Sequence, residues 1–122
     1  MLLTLKAAGL QTAILSNGSP TMLNGAVSSA GIGQKLDAIL SVETVGVFKP
    51  DRRTYDLVGA RFNCCVTEVL FVSSNGWDVA AATGYGFTTA WVNRSGEPQD
   101  RLPWVPQHEL KDLTEILALV DI

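Results

Sequence analysis

The stretch VLFVSSNGWDVAAATGYGFTTAWV, residues 69–92, decides the fold. Its first five residues, 69–73, form an apolar run without alternation, which is typical of a parallel strand covered on both faces. The alanine-rich segment 78–83, followed by Gly84, predicts a short helix, and residues 88–92 predict the next strand. A strand, a helix and a strand in this order indicate an α/β fold with right-handed crossovers.

The same alternation extends upstream. Residues 11–16 and 38–42 predict two further strands. Between them, Ser19 as N-cap and Pro20 at the first helical position predict the start of a helix, and Gly31 predicts its end. A second helix is expected to open at residues 49–51, Lys-Pro-Asp.

The end of the chain is less regular. Residues 93–107 hold three of the five prolines and predict a loop. Asp112 with Glu115 three residues later predicts a capping box for a last helix. We therefore expect one α/β domain over residues 1–122, with a parallel sheet of about four strands and flanking helices.

Composition limits the class of protein. Of the 122 residues 47% are hydrophobic and 17% are charged, and the net charge is −3. These values predict a soluble globular domain, while the acidic balance and the lack of a basic cluster argue against a nucleic-acid partner. Without a long apolar run or a clear signal peptide, we expect no membrane association and a cytoplasmic location.

Polar side chains follow the predicted strands at three places. Ser16 ends the first strand, Lys49 precedes the second helix, and Ser73, Asn75 and Asp78 follow the third strand. Because the carboxyl ends of parallel strands lie at one edge of the sheet, these groups should meet there. A lysine, hydroxyl and amide donors and a helix N-terminus predict an anion site.

Three motifs together resemble the haloacid dehalogenase superfamily, and most closely the (S)-2-haloacid dehalogenases. They are Ser-Asn-Gly-Ser-Pro at 16–20, Lys-Pro-Asp at 49–51 with Tyr55, and Ser-Ser-Asn-Gly-Trp-Asp at 73–78. The resemblance extends from about residue 6 to residue 119. It implies a Rossmann-like core and hydrolysis of short (S)-2-haloalkanoic acids to (R)-2-hydroxyalkanoic acids through an aspartyl-ester intermediate.

The resemblance also implies residue roles. Substrate would be bound by Ser16 at its carboxylate and by Asn17 and Trp77 at the departing halide. The groups that hold the nucleophile, orient the lysine and position water would be Lys49, Tyr55, Ser73, Asn75 and Asp78.

The nucleophile of this family lies in an Asp-x-Tyr-Gly-Thr motif, which this sequence does not contain. The resemblance thus implies a partial core domain without the family's first strand and cap, so we expect the chain by itself to be inactive. The first strand is central in the family's sheet, so strands 11–16 and 38–42 should be separated from strands 69–73 and 88–92. Unpaired edges would then make the chain marginally stable. Direct pairing of the strands that end at Ser16 and Ser73 is the alternative.

Other functions remain open. Ser73 and Asn75 stand where phosphatases of the superfamily usually carry acidic residues, so the loop is a poor Mg²⁺ site, and we expect no metal and no other cofactor. A phosphatase fragment is one alternative. The other is a non-catalytic module that binds small carboxylates or a partner chain. A homodimer of the longer protein is a further expectation.

Overall fold

The computed structural model describes residues 2–98 and 104–120. The α-helices are α1 (Leu2–Ala7), α2 (Pro20–Ala30), α3 (Arg52–Phe62), α4 (Gly76–Tyr85) and α5 (Ile116–Leu119). The strands are β1 (Ala13–Ser16), β2 (Ala38–Ser41), β3 (Leu70–Ser73), β4 (Thr88–Val92) and β5 (His108–Leu110). Short 3₁₀ turns occupy Gly33–Lys35, Val42–Thr44, Val66–Glu68 and Leu113–Glu115.

All pairings between these strands are parallel, and they fall into two sheets. β1 pairs with β2, with Ala13 opposite Ala38 and Ser16 opposite Ser41. β4 lies between β3 and β5 in the second sheet. The expected separation of the first two strands from the next two is confirmed. The alternative of direct pairing between the strands ending at Ser16 and Ser73 is wrong, because neither strand pairs with the other.

The strand count differs from the predicted four. β5 was not predicted, because its three residues His-Glu-Leu contain only one buried apolar side chain, Leu110, and show no apolar run. It forms because Val92 and Leu110 come into register at the outer edge of β4. The described part of the chain therefore has five strands, one more than the predicted four, in two separate sheets.

Helix boundaries follow the capping residues. α2 begins as predicted, with the Ser19 side chain accepting a hydrogen bond from the Met22 N–H, and it ends at Gly31 in the left-handed conformation. α4 runs past Gly84 and ends at Gly86, whose N–H reaches the carbonyls of Ala82 and Thr83. The prediction that Gly84 ends this helix is wrong.

Burial is concentrated around β3, β4 and α4. Tyr55, Phe71, Ala82 and Phe87 form one buried cluster, and the second consists of Ala90, Leu110 and Ile116. The fold thus places the buried ring of Tyr55, from α3, against β3 and α4, next to the edge where β3 ends. Among the described residues, no helix has both the length and the apolar character needed to cross a membrane.

Candidate active site

Lys49 lies at the centre of the site and links the two sheets. Its Nζ donates to Asp78 Oδ2 at 2.7 Å and to the carbonyl of Leu15, in β1, at 3.2 Å. The ring of Phe71, in β3, lies with its centroid 5.6 Å from Nζ, within the range of a cation–π contact. The side chains of Lys49 and Asp78 are only 9% and 2% exposed, so this ion pair is desolvated.

Tyr55 completes the environment of Asp78. Its hydroxyl donates to Asp78 Oδ1 at 2.8 Å, and the whole residue is 1% exposed. Burial, and then the adjacent charge of Asp78, raise the pKa of Tyr55, so its hydroxyl stays protonated and remains a donor. Each oxygen of Asp78 thus accepts from a protein donor, and this carboxylate is suited to fixing Lys49 rather than to attacking a substrate.

The loop after β1 is held by two hydrogen-bonded serines. Ser16 Oγ accepts from the Gly18 N–H at 3.0 Å, and Ser41 Oγ donates to the Gly18 carbonyl at 2.8 Å. Asn17 Oδ1 accepts from the backbone N–H of Lys49 at 2.8 Å. These bonds use acceptor positions of Ser16 and Asn17 and leave the hydroxyl hydrogen and the amide NH₂ available to donate to an anion.

Two hydrogen bonds hold the loop after β3. Ser73 Oγ accepts from the Asn75 N–H at 3.1 Å. Asn75 occupies the N-cap position of α4, yet its side chain makes no capping bond and is exposed. The buried Trp91 donates from Nε1 to the Ser74 carbonyl at 3.2 Å and so holds the loop against β4.

The eight predicted site residues therefore fall into three groups. Direct hydrogen bonds join Asn17, Lys49, Tyr55 and Asp78. Ser16, Ser73 and Asn75 form turns within their own loops. Trp77 has no part in this network. It is 38% exposed and lines a cavity between α3 and α4.

Sequence reasoning missed four contributors to the site. The Leu15 carbonyl carries no side-chain signal, and Phe71 and Trp91 are indistinguishable in sequence from ordinary core residues. Ser41 could have been found, because residues 13–16 and 38–41 have the same sequence, Ala-Ile-Leu-Ser, and each ends at the same edge of the sheet.

Comparison with known proteins identifies the family of the chain. The sequence model of the haloacid dehalogenase-like hydrolases matches residues 1–86, more than half of the chain. The chain belongs to this family. The (S)-2-haloacid dehalogenase of Pseudomonas sp. strain YL is 41% identical to this haloacid dehalogenase-like hydrolase over 117 residues, which are 96% of the chain and 50% of that enzyme.

Solved structures agree with this assignment. A crystal structure of an L-2-haloacid dehalogenase superposes on 99% of the chain with a TM-score of 0.95 and 42% identity, and 53% of that structure is covered. The Xanthobacter autotrophicus L-2-haloacid dehalogenase with chloropropionic acid covalently bound gives a TM-score of 0.90 at 36% identity, over 98% of this chain and 58% of that one. This haloacid dehalogenase-like hydrolase spans about half the length of the curated relatives it matches.

Proposed function

We propose that this chain forms the lysine-bearing half of an enzyme that hydrolyses short (S)-2-haloalkanoic acids to (R)-2-hydroxyalkanoic acids. The observation that carries the proposal is the desolvated Lys49 ammonium, held by Asp78 and the Leu15 carbonyl where β1 and β3 end. An ammonium has three N–H donors, and these two bonds use two of them. The third is available for a second carboxylate, the nucleophile.

The nucleophile would come from a segment outside the described residues that lies between the facing edges of β1 and β3. Its carboxylate oxygen forms a bond to the carbon that bears the halogen, and the carbon–halogen electron pair leaves with the halide. Water then attacks the carbonyl carbon of the aspartyl ester. This second step breaks the bond between the carbonyl carbon and the ester oxygen, releases the 2-hydroxy acid and restores the carboxylate, and the remaining proton of the water passes to solvent.

The remaining residues support these two steps. The free donors of Ser16 and Asn17 suit the carboxylate of the substrate and the departing halide, since both are anions beside a cation. Ser73 and Asn75 present a hydroxyl and an uncommitted amide next to Asp78, which suits them to hold the hydrolytic water. Asp78 and Tyr55 are positioning residues, because they act through Lys49.

The test uses the full-length protein that contains this chain. Purified protein should release chloride from (S)-2-chloropropanoate and not from the (R) enantiomer, with no loss of rate in EDTA. Lys49→Met should lower kcat by about 10³-fold, because it removes the cation beside the nucleophile. The conservative variant Lys49→Arg separates loss of charge from loss of geometry.

Three outcomes would contradict the proposal. Retention of most activity by Lys49→Met would remove this lysine from the mechanism. Mg²⁺-dependent hydrolysis of p-nitrophenyl phosphate without chloride release would favour a phosphatase. Binding of 2-chloropropanoate without release of chloride would favour the non-catalytic carboxylate-binding module.

A homodimer and a cytoplasmic location remain predictions, which sedimentation and cell fractionation can test.

A further inference from the structure

A cavity of about 370 Å³ lies between α3 and α4, away from the hydrogen bonds of Lys49. Its volume falls within the range of pockets that hold small organic molecules. Tyr55 is common to both places, because it lines the cavity while its hydroxyl bonds to Asp78 in the candidate active site. The cavity is therefore adjacent to the site described above.

The floor of the cavity includes a glycine near the C-terminal end of α4. α4 contributes Ala81 and Gly84 to the lining, and Trp104 covers them from the loop before β5. A Cβ on Gly84 would overlap the Trp104 indole, so any larger residue would displace this tryptophan. At this position, the ninth of the ten residues of α4, glycine makes room for a flat ring.

Aromatic side chains form much of the cavity wall, and two of them are partly exposed to solvent. Trp77 and Trp104 are 38% and 49% exposed, although both line the same cavity. Tyr85 lies on the same face of α4, and its hydroxyl donates to Asp56. Two partly exposed indoles around a hollow with small residues at its floor present flat apolar surfaces on which a planar ring can stack.

The guanidinium of Arg52 lies at this aromatic surface. The Arg52 guanidinium carbon lies 4.8 Å from the Tyr85 ring centroid, and Arg52 also lines the cavity. Within residues 2–98 and 104–120, Arg52 forms no ion pair with a carboxylate, whereas its neighbour Arg53 pairs with Asp51. A guanidinium held by stacking keeps its planar N–H donors free for the two oxygens of a carboxylate.

We propose that this cavity binds a small aromatic carboxylate, with the ring against Trp77 and Trp104 and the carboxylate on Arg52. The site is distinct from the one built around Lys49 and does not depend on the proposed dehalogenase function. An aliphatic acid of three carbons would leave most of the volume empty and would gain nothing from the indoles. A neutral aromatic molecule would stack equally well but would leave Arg52 without an anion.

The test is a binding titration of the 122-residue chain with phenylacetate and with its neutral isostere, phenylacetamide. Tryptophan fluorescence and calorimetry should show saturable binding of phenylacetate at about millimolar concentration or below. Phenylacetamide should bind at least about ten-fold more weakly, because it lacks the charge that pairs with the guanidinium. Arg52→Gln should abolish this preference, and its exposed position allows the variant to fold.

Arg61→Gln is the matched control. Arg61 also stacks on an aromatic ring, that of Phe62 at 5.0 Å, but it does not line the cavity. It should keep the wild-type preference, whereas Trp104→Ala should weaken both probes. Equal binding of acid and amide, or a preference that survives Arg52→Gln, would overturn the proposal. So would binding to the chain that disappears in the full-length protein, because another segment would then fill the cavity.

Discussion

The two sheets are built from similar apolar strands but differ sharply in burial. β4 is buried from Thr89 to Val92 and has a hydrogen-bonded partner on each side. Within residues 2–98 and 104–120, β1 has one partner, and none of its four residues is fully buried, although its sequence Ala-Ile-Leu-Ser is as apolar as a buried strand requires. β2, with the same four residues, buries only Ser41.

The difference shows what neighbouring structure contributes to a strand. Burial of apolar surface stabilises a strand only where other elements cover it, at roughly 25 cal/mol per Å². β3 and β4 are covered by α4 and by the cluster around Phe71 and Phe87, whereas the described residues leave β1 and β2 half-exposed. Contacts beyond those of the described residues would be expected to stabilise the β1–β2 half most.

The buried ion pair that joins the two halves should give the largest effect. Lys49→Met in the 122-residue chain should lower the free energy of unfolding by about 3 kcal/mol or more, or unfold the chain, because it leaves the Asp78 carboxylate buried and unpaired. Urea denaturation followed by circular dichroism measures this loss. Adding Asp78→Asn to Lys49→Met should recover part of it.

The control for that prediction is the more exposed ion pair between Lys6 and Asp37, which has the same 2.7 Å separation. Lys6→Met should destabilise the chain far less, because solvent screens this pair. Equal losses for Lys49→Met and Lys6→Met would mean that burial of the pair does not determine its contribution, and that Lys49 does not hold the two halves together.

A matched pair of leucines tests the difference in burial directly. Leu110→Ala, in the second sheet, should cost about 3 kcal/mol, because Leu110 is buried against Ala90 and Ile116. Leu40→Ala, in half-buried β2, should cost about half as much or less. Both values come from the same urea titration. A Leu40 variant as damaging as the Leu110 variant would show that β1 and β2 are better covered than their exposure indicates.

The same contrast explains how far the sequence predicts the fold. Strands with apolar runs and helices with clear caps, such as Ser19 and Gly31 around α2, are predicted to within two residues. β5 is missed because its pairing depends on β4, a contact between residues far apart in sequence that local patterns do not contain. α4 extends past Gly84 because the next glycine, Gly86, provides the C-cap, and the sequence offers both glycines as helix ends.

The candidate site shows the same limit. Motifs point to Lys49, Tyr55 and Asp78, because each carries a charged group or a hydroxyl that a sequence pattern can indicate, and the structure brings these three into contact. The carbonyl of Leu15 has no signature in the sequence. Trp91 also escapes prediction, since only its position opposite Ser73 in the sheet brings its indole N–H to the Ser74 carbonyl.

The indole hydrogen bond of Trp91 should have a moderate effect. Trp91→Phe keeps an aromatic ring in the second sheet but removes the donor to the Ser74 carbonyl, and should cost about 1 kcal/mol of stability. Hydrogen exchange should become faster at the backbone N–H of Asn75, which donates to Ser73 Oγ in the wild type. If exchange quickens in β4 instead, Trp91 acts mainly through core packing and not on the loop.

The smallest effect is expected from the two hydrogen bonds that Asp37 accepts in the β1–β2 half of the molecule. Asp37 accepts from the Lys6 ammonium and from the Thr12 N–H, each at 2.7 Å, and these bonds hold the pKa of Asp37 below its ordinary value of 3.8. A carboxyl whose pKa is lower in the folded state stabilises the fold above pH 3.8 and loses this contribution as the pH falls below that value. The thermal midpoint of the wild type should therefore fall more steeply than that of Asp37→Asn as the pH is lowered below 3.8. Lys6→Met should give an intermediate slope, because the Thr12 bond remains. Identical slopes for all three proteins would mean that α1 and β1 are not held by this carboxylate, and that the weaker half of the molecule relies on its apolar contacts alone.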